Sequence, residues 1–213
     1  MAAFDLEEQE QLETLKAWWK RWGNYLIYGV SALLIAVAGY QYWKTHTANQ
    51  AIEASAHFDG MNQALGAGDM KKAREQGALL IDKFGKTPYA TRAAMLLASI
   101  NVQNRDVKSA KAQLEWVIAN SKEAALRDVS RLRLAGLLLD EKDYGGALKQ
   151  LNAAHTDAFA ARFDDLRGDV YLAQGKTAEA RAAYSAAYAK LQEANPLRGV
   201  VEMKLDSLGG PAK

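Results

Sequence analysis

Residues 166–190 read LRGDVYLAQGKTAEARAAYSAAYAK, and the spacing of small and large residues here decides the fold. Gly168 and Tyr171 stand on one predicted helix, Gly175 marks a turn, and Ala180, Tyr184 and Ala187 follow on a second. The spacing has a physical cause. Gly168 and Ala180 lack bulk, so two antiparallel helices can approach closely, and Tyr184 fills the gap above the small residues. Gly175 supplies the backbone freedom of a tight loop.

The same pattern recurs upstream in weaker form. Thirty-three residues earlier come Leu134, Ala135 and Leu138, then Ala147, Leu151 and Ala154, around an expected turn at Asp143-Tyr144-Gly145. A shift of 37 from there gives Leu97, Ala98, Ala110 and Leu114, with a turn from Asn104 to Asp106. A further 37 gives Met61, Ala64, Gly68, Ala73 and Leu80, ending before Pro88. This is tetratricopeptide spacing, and it predicts four helical hairpins stacked as a solenoid, because one hairpin alone cannot bury its apolar face. Residues 196–208 complete the stack as a capping helix. Pro196 sits in its first turn, Leu197, Val201, Leu205 and Leu208 form one stripe, and Gly209, Gly210 and Pro211 stop it.

Ahead of the repeats lies the one long uncharged stretch, WGNYLIYGVSALLIAVAGYQYW, residues 22–43. About 20 mostly apolar residues suffice for a helix to cross the hydrocarbon core of a bilayer. Trp18, Trp19, Trp22 and Tyr25 crowd one end, and Tyr40, Tyr42 and Trp43 the other, as at two lipid–water interfaces. Ala36-Val37-Ala38 has the look of a signal-peptidase site, but the acidic start (Asp5, Glu7, Glu8, Glu10, Glu13) is unlike a signal's basic n-region, and the apolar run continues past Ala38. A retained membrane anchor is therefore expected. Lys16, Lys20 and Arg21 precede the span while Lys44 alone follows closely, which predicts a single-pass protein with its N-terminus in the cytoplasm. The expected organisation is a cytoplasmic segment at 1–21, a transmembrane helix at 22–43, and an all-α repeat domain at 44–213 across the membrane.

Composition narrows the function classes. With 27 basic and 25 acidic residues there is no charge bias toward nucleic acid. The chain has no cysteine, so structural disulfides, thiolate metal sites and a cysteine nucleophile are out. No phosphate-cradling glycine loop, HExxH or GxSxG occurs, and His46, His57 and His155 fall on three different elements. Asp164, Asp165 and Asp169 resemble a carboxylate cluster, but Arg162 and Arg167 interleave with them at helical spacing, which points to internal ion pairing. Neither an enzyme nor a cofactor is expected.

A solenoid of this kind offers instead a face lined by the first helix of each hairpin. On the register above that face carries Phe58, Arg92, Met95, Val102, Leu132, Leu139, Arg162, Asp165 and Leu172. Several of these apolar residues are equally suited to packing between hairpins. Solenoids that grip a peptide's terminal carboxylate use Lys and Asn at set inner-helix positions. Here only Asn62 fits one of them, which argues against that clamp.

The chain resembles the YfgM-type ancillary subunits of the bacterial SecYEG translocon over nearly its whole length. The resemblance rests on Leu15-Lys16 followed by Trp18-Trp19 and Gly23, on Tyr42-Trp43 closing the span, and on Leu132-Arg133-Leu134-Ala135. It rests also on Leu166-Arg167-Gly168-Asp169 with Gly175 and Ala180-Arg181; Arg167 departs from the generic repeat, which prefers leucine, in the family's direction. The resemblance implies an inner-membrane protein with a periplasmic repeat domain, lying beside the translocon with the membrane-anchored chaperone PpiD. It further implies a role in passing unfolded secreted polypeptides to periplasmic chaperones. An anchored scaffold that assembles another envelope complex without touching clients is the alternative.

Overall fold

The computed structural model describes residues 2–210, with the side chains of residues 2–7 and Gln9 excepted; Pro211 of the expected helix stop, and the side chains of Asp5 and Glu7 in the acidic start, lie outside what is described. Among the described residues there are nine helices and no strand: α1 Ala2–Gly66, α2 Met70–Lys83, α3 Pro88–Gln103, α4 Val107–Asn120, α5 Ala124–Asp140, α6 Tyr144–Leu151, α7 Asp157–Ala173, α8 Thr177–Lys190 and α9 Pro196–Ser207. The chain divides into two units, Met1–Ile52 and Glu53–Lys213.

The first unit is a single run of α1. Its apolar side chains face outward, Leu26, Leu33 and Ile35 among them, and it is the one helix among the described residues long and apolar enough to cross a membrane. Outward-facing aliphatic residues on an isolated helix are stable in lipid, where no water is left to exclude them. Rings pair along the helix at both ends of the apolar run, Trp22 with Tyr25 at 5.9 Å and Tyr40 with Trp43 at 6.4 Å. Gly23 is buried beneath the Trp19 ring, which would lie 3.1 Å from a Cβ placed there. Helix α1 continues unbroken from the apolar run through Thr45–Ala56.

In the second unit, the end of α1 packs on α2 through Met61, Ala64, Ala73 and Leu80; α3 pairs with α4, α5 with α6, and α7 with α8, and α9 closes the stack against α8. The core is a chain of clusters. Met61, Ala64, Ala73, Leu80, Leu97 and Ile100 join the first two hairpins. Ala98, Leu114 and Leu134 join the second and third. Ala135, Ala147, Leu151, Phe163 and Val170 join the third and fourth, and Ala180, Tyr184, Ala187, Val201 and Leu205 hold the cap. The cluster shared by hairpins two and three is the smallest of the four, with three buried members.

All four hairpins turn on one backbone device. Gly68, Arg105, Lys142 and Gly175 each stand in the left-handed region, with φ of 75°, 63°, 64° and 76°. The next residue's N–H reaches back to a carbonyl of the first helix: Asp69 to Ala64, Asp106 to Asn101, and Asp143 to Leu138 at 2.8 Å, and Lys176 to Tyr171 at 2.9 Å. This is the Schellman helix stop, which satisfies carbonyls the helix leaves open. Asp69, Asp106 and Asp143 then cap the second helix by accepting from the N–H of Lys72, Ser109 and Gly146. Lys176 stands where the fourth aspartate would be and makes no such bond.

The structure corrects the third hairpin. Tyr144 and Gly145 belong to α6 and not to the turn, which is made by Glu141 and Lys142. Helix α6 ends after two turns at Leu151, so Ala154 lies beyond it and is exposed. Helix α6, with 8 residues, is six shorter than α4, with 14, and the link after it, 152–156, is two longer than 121–123, which together give the four residues missing from the 33-residue step.

Candidate functional site

Residues 92, 95, 99 and 102 recur at three- and four-residue intervals, so Arg92, Met95, Ser99 and Val102 form one stripe on α3. The stripe opens into two adjoining clefts. The first holds ≈ 300 Å³, between Phe58 of α1, the Arg92, Met95, Leu96 and Ser99 side of α3, and Arg133 of α5. The second holds ≈ 420 Å³ and is walled by Val102, Gln103, Leu114, Gly136, Leu137 and Asp140. Ser99 and Arg133 border both. Gly136 explains the opening locally: nothing lies within 4 Å of the position a Cβ would take, so the missing side chain leaves space and not a contact. The lining is mostly apolar with a few polar groups, as in sites that hold organic ligands.

Two cations lie on this face, and their surroundings differ. Arg92 donates to the Pro88 carbonyl at 3.1 Å and pairs with Glu123 at 3.1 Å. Both side chains are more than two-fifths exposed, so the pair adds little stability. Arg133 donates through Nη1 to the Ser99 hydroxyl at 3.2 Å and has no carboxylate in ion-pair range among the described residues.

The nine residues expected on the face separate into groups. Phe58, Arg92 and Met95 meet in the first cleft, and Val102 lines the second. Leu132 and Leu139 pack against the cluster of Ala135, Phe163 and Val170, toward the fourth hairpin. The part of α5 turned to α3 carries Arg133, Gly136, Leu137 and Asp140 instead. One residue is 100° around a helix, so the 37-residue step, which carries the turn correctly, does not carry the open face. Arg162 and Leu172 are exposed on α7, away from both clefts. Asp165 faces the cap, where Lys204 binds it at 2.8 Å and Asp169 at 2.7 Å.

The carboxylate cluster on α7 is thus an ion-pair network. Asp164 is held by Arg167 and Lys190, and Arg167 also donates to the Leu151 carbonyl at 2.9 Å. Burial pushes the Asp165 carboxyl above its ordinary value in spite of Lys204. Burial pulls the Lys204 ammonium down, but the hydrogen bonds and charges of Asp165 and Asp169 outweigh it and hold the group above its ordinary value. The Tyr184 hydroxyl donates to Asp169 at 2.7 Å; burial first, then that acceptor, push its ionisation up. These groups are thus spent on one another and on the cap. Two of the three histidines are packed too: His155 stacks on Phe163 at 4.1 Å and His57 bonds Gln76 at 2.8 Å.

Sequence reasoning missed Ser99, Arg133, Gly136 and Leu137. The 37-residue step between the turns carries Val102 to Leu139 and Met95 to Leu132, and so passes over Arg133 and Leu137. It also missed Asp128, buried on α5, which accepts from the Thr156 N–H at 2.9 Å and hydroxyl at 2.7 Å and so fixes the start of α7.

Residues 16–210 match the family model of a tetratricopeptide repeat-like domain. The ancillary SecYEG translocon subunit of Neisseria gonorrhoeae is 30% identical over 211 residues, covering 97% of this chain and 99% of the relative. Its namesake in Haemophilus influenzae is 28% identical over 208 residues, covering 97% and 100%, and that of Escherichia coli is 30% identical over 203 residues, covering 94% and 96%. An apolar helix, four Schellman-closed hairpins and a cap span the length over which these proteins match, and the chain belongs to the tetratricopeptide repeat-like family of ancillary SecYEG translocon subunits.

Proposed function

We propose that this chain is a single-pass inner-membrane subunit at the SecYEG translocon that receives polypeptide emerging from it and passes that polypeptide on to periplasmic chaperones, PpiD among its neighbours. The observation that carries this reading is the pair of apolar clefts between α3 and α5, on the face lined by first helices. Residues 22–43 supply the span, residues 1–21 the cytoplasmic end and residues 44–213 the periplasmic domain, an orientation supported by Lys16, Lys20 and Arg21 ahead of the span. A disordered client loses chain entropy when it binds, so a shallow face holds it weakly. Anchoring offsets this by keeping the face at high local concentration near the exit.

The test is photo-crosslinking from single positions of the full chain in membranes during export. Adducts with secreted polypeptides are expected from Met95 and Val102, and not from exposed Lys108 on α4. Equal yields from all three positions, or no secreted polypeptide from any, would overturn client binding at the clefts. Translocon adducts without client adducts would leave the scaffold reading in place.

A further inference from the structure

We infer that the point where the two clefts meet selects an acidic side chain, so that the face prefers extended polypeptide carrying Asp or Glu between large apolar residues. The inference rests on the reading of this face as polypeptide-binding, and adds what the face selects. Arg133 borders both clefts and spends one hydrogen bond, to Ser99 at 3.2 Å. A guanidinium carries five N–H donors in a planar fork that matches a carboxylate. On the same helix Arg131 pairs with buried Asp128, and Arg127 donates to the Ser121 carbonyl at 2.8 Å. On the face itself Arg92 is neutralised by Glu123. Arg133 is therefore the cation among the cleft-lining residues that has no counter-charge.

Its position decides what it can read. Phe58 and Met95 lie to one side, Val102 and Leu137 to the other. Apolar side chains seated there would exclude water from the guanidinium and strengthen a pair formed at it. Met95, unbranched and polarisable, suits the cleft to side chains of differing shape. Asp140 stands two helical turns along α5 at the far side of the second cleft, so a second acid there would be repelled. The acid is thus placed at Arg133 and not elsewhere along the trough.

The test uses the full chain in nanodiscs of zwitterionic lipid and fluorescent peptides differing at one central residue, Glu, Gln or Lys, between identical apolar flanks. Anisotropy should show the Glu peptide binding about five-fold tighter than the Gln peptide, the scale of an exposed ion pair, with the Lys peptide weakest. Arg133→Gln should equalise Glu and Gln, Arg133→Lys should retain part of the preference, and added salt should shrink it. Arg133 is exposed, so these variants should melt like the parent. Equal binding of Glu and Gln peptides to the parent chain overturns the selectivity and leaves the binding face standing. Peptide binding that is absent, or indifferent to Met95→Glu and Val102→Glu, overturns the face and the selectivity together.

Discussion

Two joints of the same stack are built in opposite ways. At the end of the stack, Tyr184 of α8 lies fully buried against Gly168 of α7, its hydroxyl bound to Asp169, and Lys204 of α9 ties both Asp165 and Asp169. Where hairpin two meets hairpin three, Ala98, Leu114 and Leu134 are the buried core, and Gly136 borders empty volume. Glycine serves each joint differently. At Gly168 its lack of a side chain admits a neighbour's ring; at Gly136 the same lack admits nothing from this chain. A repeat architecture can therefore be tight at its end and open in its middle without changing helix type or turn.

The strongest way to break this contrast is Gly168→Ala. A Cβ there would lie 2.5 Å from Cδ1 of the buried Tyr184 ring, far inside contact distance. Overpacking of this kind costs about 1–3 kcal/mol, enough to lower the melting temperature by several degrees in a domain of this size. An unchanged melt would mean that the ring yields freely and that the joint is not tight.

A second prediction sharpens the role of the cap. Lys204 and Tyr184 hold their protons more tightly folded than unfolded, where the ordinary values are 10.5 and 10.0. Groups raised on folding lend stability that is whole below those ordinary values and is lost as pH rises through the folded ones. Melting temperature should thus fall on the alkaline side above about pH 10, and Lys204→Met should flatten the fall while costing about 1 kcal/mol at neutral pH. Asp165, also raised, works in the acid range with the same sign: its contribution is present below the ordinary carboxyl value of 3.8 and is lost as pH rises through the folded value. An alkaline profile identical in parent and Lys204→Met chains would remove Lys204 from the account.

The smallest effect is the most telling, because its sign reverses. Gly136→Ala meets open space in mid-helix, where alanine is favoured over glycine by about 0.5–1 kcal/mol. It should raise the melting temperature slightly. If it lowers stability as Gly168→Ala does, the middle joint is packed and the clefts are not open.

How far these joints could be read in advance follows from the same chemistry. Hairpin four was legible because Gly168, Ala180 and Tyr184 record a small-to-large contact made within one hairpin. The open joint was less legible: an absent contact leaves no complementary pair to find, and Gly136 looks like any helix-weakening glycine. Lys204 could not be matched to Asp165 and Asp169 because they lie 39 and 35 residues away on another helix. The early end of α6 was hidden too, since alanine at 154 continues the pattern after the helix has stopped.

The turns carry a consequence for how such a chain tolerates change. Each is latched by main-chain atoms, so Arg105 and Lys142 occupy the place of Gly68 and Gly175 at a conformational cost of about 1 kcal/mol and nothing else. Side chains there are free to drift, whereas one residue added inside a latch would rotate everything after it. Length is adjustable beyond the latch, as the eight-residue α6 and the five-residue link after it show. A graft, a tag or an inherited insertion should thus be accepted between Asn152 and Ala154, ahead of the anchored His155 and Thr156, and refused between Leu139 and Asp143, although both segments reach the surface.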